Sequence, residues 1–214
     1  MPPAPGHGLF ITLEGGEGSG KSTVARALAE RLRERDHSVC LTREPGGTSR
    51  GRMIQAIFEG NEAAPLTPLA ELLLFEADRA QHIREVIQPA LDAGDIVLCD
   101  RFTDSSLAYQ GCGRGLEIDF IRLLNDAATG SLKPDITLLL DIPPEAGLAR
   151  AGAQQDATGR ESLEFHRRVR EGFLELAKDE PDRFVVIDAT LPPGDVMQAA
   201  LDAIEPLLRR DAHL

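Results

Sequence analysis

Five short apolar runs punctuate the chain: LFITLE (Leu9–Glu14), VCLTRE (Val39–Glu44), DIVLCD (Asp95–Asp100), DITLLLD (Asp135–Asp141) and RFVVID (Arg183–Asp188). Their apolar residues are consecutive rather than alternating, which predicts strands covered on both faces, as in a parallel sheet. Between the runs the spacing becomes helical. Val24, Leu28 and Leu32 recur at that spacing after the first strand. From Thr67 to Gly94 the pattern predicts one long helix, opened by Pro68, closed by Gly94 and kinked near Pro89. Another helical pattern covers Glu161–Lys178, and Met197, Ala200, Leu201, Ile204 and Leu208 mark a closing amphipathic helix. Strand and helix alternate throughout, so the expected fold is a doubly wound α/β domain with about five parallel strands. It should span 9–210, after a flexible N-terminus over 1–8 and before a short tail over 211–214.

One stretch fits neither element. ARAGAQQDATGRE (Ala149–Glu161) is small, polar and glycine-containing, and lies between two helical patterns. It is either a plain connection or a lid that closes over a bound nucleotide.

Composition narrows the function classes. The chain has 214 residues, 42% hydrophobic and 27% charged, which fits a soluble globular domain. Its net charge of −12 argues against broad contact with a nucleic acid polymer or an anionic membrane. An anion site must therefore be local, built from a few cations and backbone N–H groups. Cys40, Cys99 and Cys112 are odd in number and show no metal-ligand spacing, so they read as reduced thiols of a cytoplasmic protein. MPPAPGHG lacks the basic and apolar regions of a signal peptide, and no apolar run reaches membrane-spanning length.

The chemistry starts at GGEGSGKST, Gly15 to Thr23. Gly15, Gly20, Lys21 and Ser22 satisfy G-x-x-x-x-G-K-[ST], and the motif follows a strand and opens a helix. Gly15, Gly16, Gly18 and Gly20 let the backbone turn its N–H groups inward, with Glu17 and Ser19 between them and Thr23 after. Lys21 would reach the β/γ-phosphates of ATP, and the Ser22 hydroxyl would ligate Mg²⁺. A second piece is IVLCDR, where Asp100 ends a strand near the metal and Arg101 puts a cation where phosphates meet. No N-K-x-D follows a late strand, which argues against a guanine-nucleotide switch, and the chain is short for a motor. A small-molecule kinase needs a second pocket, and the middle of the chain offers candidates for it.

TREPGGT (Thr42–Thr48), LLLFEADRAQH (Leu72–His82) and DRFTDSSLAYQG (Asp100–Gly111) resemble the bacterial thymidylate kinases. The likeness runs from the phosphate loop to about Asp141 and returns in FHRRVREGF and RFVVIDA. The resemblance implies transfer of the γ-phosphoryl group of ATP to dTMP. It also implies that Phe75 stacks on thymine, that Arg79 bonds the base edge and that Arg101 binds the acceptor phosphate. Ser105, Ser106 and Gln110 would form the polar rim around the base, with Pro45 as pocket wall. Tyr109 would crowd the sugar 2′ position, and Glu17 would face the sugar hydroxyl or the metal. The family further implies a homodimer of helices packed across a two-fold axis.

The chain departs from the family in its cations. The phosphate loop has no arginine, and the expected lid holds only Arg150 and Arg160, with Ala157 where relatives carry a D-R-x-E arginine. Gln55 stands where relatives carry an arginine for the acceptor phosphate, and Arg52 is the nearby substitute. Arg160 is therefore the expected catalytic lid cation, and Arg150 the second candidate. Ala189 and Thr190, after the last strand, are candidate neighbours of adenine. Two other readings stay open: a nucleoside or nucleotide kinase of different base preference, and a nucleotide-binding regulator with weakened catalysis.

Overall fold

The computed structural model describes residues 8–60, 65–152 and 161–211. In chain order its elements are β1 (Phe10–Glu14), α1 (Lys21–Arg33), β2 (Val39–Arg43), α2 (Ser49–Glu59), α3 (Pro68–His82) and α4 (Gln88–Asp92). There follow β3 (Ile96–Asp100), α5 (Thr103–Ser106), α6 (Ile118–Thr129), β4 (Ile136–Asp141), α7 (Pro144–Ala151), α8 (Leu163–Asp179), β5 (Phe184–Asp188) and α9 (Pro193–Asp211). All five expected strands form, and they pair in parallel in the order β2-β3-β1-β4-β5. The doubly wound reading therefore holds. Full burial on both faces holds for the three central strands but not for β2 and β5, which are edge strands and partly exposed.

Side-chain alternation divides the sheet between two cores. Ile11, Leu13, Leu98, Leu138 and Leu140 pack with Val24, Leu28 and Leu32 of α1 and Ala200, Leu201 and Ile204 of α9. The opposite face carries Phe10, Val97 and Cys99 against Ile83, Ile87 and Leu91, and Leu139 against Phe165, Val169 and Phe173 of α8. Thr12 and Thr137, neighbours in register, meet through their hydroxyls at 2.8 Å between these patches.

The long helix predicted from Thr67 is present but not uniform. Thr67 caps it by accepting from the Ala70 N–H, and Pro68 occupies its first turn. Across Ile83–Ile87 the ladder widens to a π turn, in which the Gln88 N–H reaches back to the Ile83 carbonyl. The cause lies just beyond: Pro89 has no N–H to give the carbonyl one turn earlier. A second π turn spans Leu107–Gly113 and continues α5.

The expected lid is corrected at its start. Residues 149–151 belong to α7, because the helical pattern from Pro144 runs through Ala151. Arg160 and Ala157 lie outside the described residues. No helix among the described residues is long and apolar enough to cross a membrane.

Candidate active site

The parallel register brings the carboxyl ends of β1, β3 and β4 to one edge of the sheet, where open α/β sheets bind ligands. The phosphate loop joins β1 to α1 at that edge. Its backbone needs glycine: φ is +139° at Gly15, +66° at Gly18 and +91° at Gly20. Gly18 also has no room for a side chain, since a Cβ there would collide with the Gly147 carbonyl of α7. Lys21 turns back over the loop and donates to the Gly15 carbonyl (3.0 Å), the Gly16 carbonyl (2.7 Å) and the Ser19 hydroxyl (3.2 Å). Burial, and then the nearby Arg101 charge, push the Lys21 ammonium down to about 7.

The Ser22 hydroxyl donates to Asp100 Oδ2. The two predicted metal ligands, distant in sequence, are thus side by side. Among the described residues no group of three or more acidic, histidine or cysteine side chains forms a cage. That donor set fits magnesium, which keeps several waters and takes its remaining ligands from one or two carboxylates and from phosphate oxygens.

Beside the loop opens a cavity of about 430 Å³, a size typical of small-ligand sites. Glu17 and Arg101 line the end towards the phosphate loop, and Phe75, Arg79, Ser106, Tyr109 and Gln110 line the rest. Pro45, after a cis peptide bond from Glu44, forms part of its wall, as does Gln55. Arg52, by contrast, is exposed and is not among the lining residues, so the expected replacement of the missing arginine is not brought to the cavity. Gln55 instead accepts from Arg43 at 3.0 Å and donates to Glu59 at 2.7 Å.

Arg101 adopts φ +72°, a left-handed conformation uncommon for a bulky side chain. Its guanidinium lies 4.9 Å from the Tyr109 ring centroid and donates to the Tyr109 hydroxyl and to Ser105 Oγ, both at 3.3 Å. Burial opposes its charge, but Tyr109, Asp100 and Glu14 outweigh that and hold its pKa above the ordinary value. Burial likewise pushes the Tyr109 phenol up.

Arg79 is more deeply built in than the sequence indicates. It is 1% exposed. Its Nε donates to Glu44 (2.9 Å), Nη1 to Glu76 (2.6 Å), Ser106 (3.1 Å) and Asn125 (2.7 Å), and Nη2 to the Phe102 carbonyl (3.1 Å). Of five N–H bonds, one on Nη2 has no acceptor among the described residues, so Arg79 can offer a base edge one hydrogen bond. Glu44 also meets His82 Nδ1 at 3.0 Å, and His82 Nε2 meets Thr42 at 2.6 Å. This network fastens the REPGGT turn to α3. Gln110 is similarly engaged, donating to Glu71 at 2.7 Å.

Several participants carried no recognisable signal. Phe58 of α2 stacks on Phe75 with centroids 4.5 Å apart and planes 17° from parallel, so one face of the predicted stacking ring is already covered. Arg114 lines the cavity between Glu71 (2.9 Å) and Glu161 (2.7 Å), with its guanidinium over Phe165. Glu14, the last residue of β1, accepts from the Phe102 N–H (2.7 Å) and the Ser105 hydroxyl (2.6 Å). Of the residues the sequence did single out, Arg150 donates to the carbonyls of Ala189 (2.6 Å) and Thr190 (3.3 Å), after β5.

A phosphate loop beside an aromatic and polar pocket, with Glu17 and Arg101 at the end towards the loop, has room for two nucleotides. A family model described as thymidylate kinase matches residues 13–200. The chain belongs to the thymidylate kinase family. It is 53% identical over 211 residues to a thymidylate kinase of Desulfovibrio desulfuricans, covering 94% of this chain and 97% of that one. A Deinococcus radiodurans thymidylate kinase is 51% identical over 192 residues, with 89% and 93% covered. The crystal structure of the Ehrlichia chaffeensis family member superposes with a TM-score of 0.76 at 37% identity, covering 94% of this chain and 99% of that one.

Proposed function

We propose that the protein transfers the γ-phosphoryl group of ATP to dTMP, giving dTDP and ADP. The observation that carries this reading is one continuous cavity lined by Glu17 and Arg101 towards the phosphate loop and by Phe75, Arg79 and Gln110 beyond. The triphosphate would lie along Gly15–Thr23, its oxygens replacing the carbonyl and hydroxyl partners that Lys21 now has. Arg150, tied to Ala189 and Thr190, would frame the adenine end. In the cavity the thymine would lie against the free face of Phe75 and receive one hydrogen bond from Arg79, with Ser106 and Gln110 at the rim. Tyr109 would stand against the sugar and disfavour a 2′-hydroxyl.

The acceptor phosphate is ionised at neutral pH, so its oxygen attacks the γ-phosphorus without a strong general base. Rate enhancement then comes from alignment and charge neutralisation. Arg101 holds the acceptor and Lys21 the donor. Ser22 and Asp100 would hold magnesium, which supplies further charge neutralisation when bound. Because Arg150 is committed to backbone carbonyls, Arg160 is the cation we assign to the moving phosphoryl group; Arg160→Ala should lower kcat by about 10³-fold, as for an arginine supplied in cis. Unchanged turnover would exclude it.

The protein would act in the cytoplasm as a homodimer. Met53, Leu69 and Leu73 of α2 and α3, with Phe120 and Leu123 of the adjoining α6, leave apolar side chains exposed that a second copy would cover. Its three free thiols fit a reducing compartment. The deciding experiment incubates the protein with ATP and magnesium and each nucleoside monophosphate in turn, and follows ADP. Release with dTMP far ahead of dUMP, dCMP and AMP is expected; release with none of them would support a regulator instead.

A further inference from the structure

Glu14 is 0% exposed, is absent from the phosphate-loop motif and lines no part of the cavity, yet it touches the acceptor turn at two points. Oε1 accepts from the Phe102 N–H at 2.7 Å, and Oε2 accepts from Ser105 Oγ at 2.6 Å. Those contacts bracket Arg101. Phe102 follows it directly, and Ser105 Oγ is the atom that accepts from the Arg101 guanidinium at 3.3 Å. Arg101 also has a left-handed backbone, at φ +72°. Such a conformation persists in a bulky residue only where its surroundings over-determine it, and functional sites are where that happens. A hydrogen bond to the next N–H is the restraint that fixes such a turn from below.

We propose that Glu14 is a positioning residue for phosphoryl acceptance: its carboxyl group locks the left-handed turn at Arg101 through Phe102 and aims the guanidinium through Ser105. This rests on the reading of Arg101 as the acceptor-phosphate ligand. The chain Glu14–Ser105–Arg101 links the end of the central strand to the acceptor site, without Glu14 contacting either nucleotide. The acceptor turn has a second, independent anchor in Asp104, which Arg183 grips at 2.7 and 2.9 Å, so loss of Glu14 should misdirect Arg101 rather than release the whole segment.

The test compares purified full-length R101A, E14A, E14Q and S105A, each checked for a cooperative melt, by ADP release with dTMP and ATP varied separately. R101A should raise the KM for dTMP or lower kcat strongly; if it does neither, the acceptor reading of Arg101 fails and the question of Glu14 is separate. Given an effect of R101A, E14A should raise the KM for dTMP about 10-fold or more, a loss typical of a misplaced ligand. The KM for ATP should stay within about twofold, since uniform damage is not positioning. E14Q keeps an acceptor for Phe102 and a group that can pair with Ser105, so it should recover to within about threefold of the parent. S105A cuts the link to the guanidinium while sparing the Phe102 contact, and should move the KM for dTMP in the same direction as E14A by a smaller factor. Should E14A fail to fold, E14Q against S105A decides. Parental dTMP kinetics in S105A and E14A, or equal rises in both KM values, would overturn the proposal.

Discussion

The Glu14 carboxyl makes a quantitative prediction about pH and stability. Burial first, and then the Asp104 charge, push it up to about 8 from an ordinary 4.5, against the opposing pull of Ser105, Arg101 and the Phe102 N–H. In the free protein it therefore keeps its proton where the unfolded chain has lost it. The stabilisation from this proton is complete below pH 4.5, shrinks as pH rises and is gone above about 8. Each pH unit in that window costs the folded state about 1.4 kcal/mol, so the whole interval removes about 5 kcal/mol, comparable to the full stability of many domains. Lys21, Tyr109 and Cys99 also feel Glu14, but they remain in both proteins compared below. Glu14→Gln replaces the protonated acid by a neutral group of the same shape. Urea unfolding of parent and variant at half-unit steps from pH 6 to 8.5 should give curves that diverge, with the parent losing about 3 kcal/mol relative to E14Q. Curves that run parallel across this range would refute the raised carboxyl and the burial argument behind it.

Other substitutions probe the rest of the site. Arg79→Met strands Glu44 and Glu76 in the interior and should destabilise by about 3–5 kcal/mol in chemical unfolding, with dTMP binding lost alongside. Phe58→Ala removes the backing of the Phe75 ring and should raise the KM for dTMP about 3- to 10-fold while sparing that for ATP, since aromatic pairs contribute about 0.5–1.5 kcal/mol. Gly18→Ala forces a side chain onto the Gly147 carbonyl at a positive φ and should cost about 1–3 kcal/mol and raise the KM for ATP, measured by thermal melt and ADP release. Met53→Glu with Leu123→Glu should give a folded monomer by sedimentation velocity, provided these exposed side chains form the dimer contact.

The sheet was legible because its strands are local apolar runs, and each expected strand is present within one residue of its ends. The phosphate loop was legible for a different reason, since the spacing of its motif encodes it, and Asp100 was legible as a polar residue ending a strand; that its carboxylate meets Ser22 is a long-range fact. What the sequence did not disclose is which atoms a polar residue uses. Arg79 reads as a ligand for the base, yet most of its hydrogen bonds go to Glu44, Glu76 and Asn125, up to 46 positions away. Phe58 follows an ordinary helical pattern, and only the approach of α2 to α3 brings it over Phe75. Glu14 is hidden by its position as the last residue of an apolar strand, where a carboxylate reads as solvated. Its burial depends on the turn after β3, a long-range fact. Arg52 shows the reverse error: near Gln55 on the helix, it points to solvent instead of the cavity.

The Asp104–Arg183 pair has a consequence for redesign. Arg183 precedes β5 and reaches across β4, donating to Asp104 and, at 2.7 Å, to Thr137. Phe58 and Phe75, which would choose among bases, belong to α2 and α3 instead, whereas Gln110 lies in the π turn that continues the helix of Asp104. The scaffold of the reacting phosphate and the stacking pair are thus carried by different segments, joined through Arg79, which donates to Ser106 and to the Phe102 carbonyl. A library varied at Phe58 and Phe75, with Glu14, Arg79, Asp104 and Arg183 held constant, should yield altered acceptor preference without forfeiting the alignment on which turnover depends.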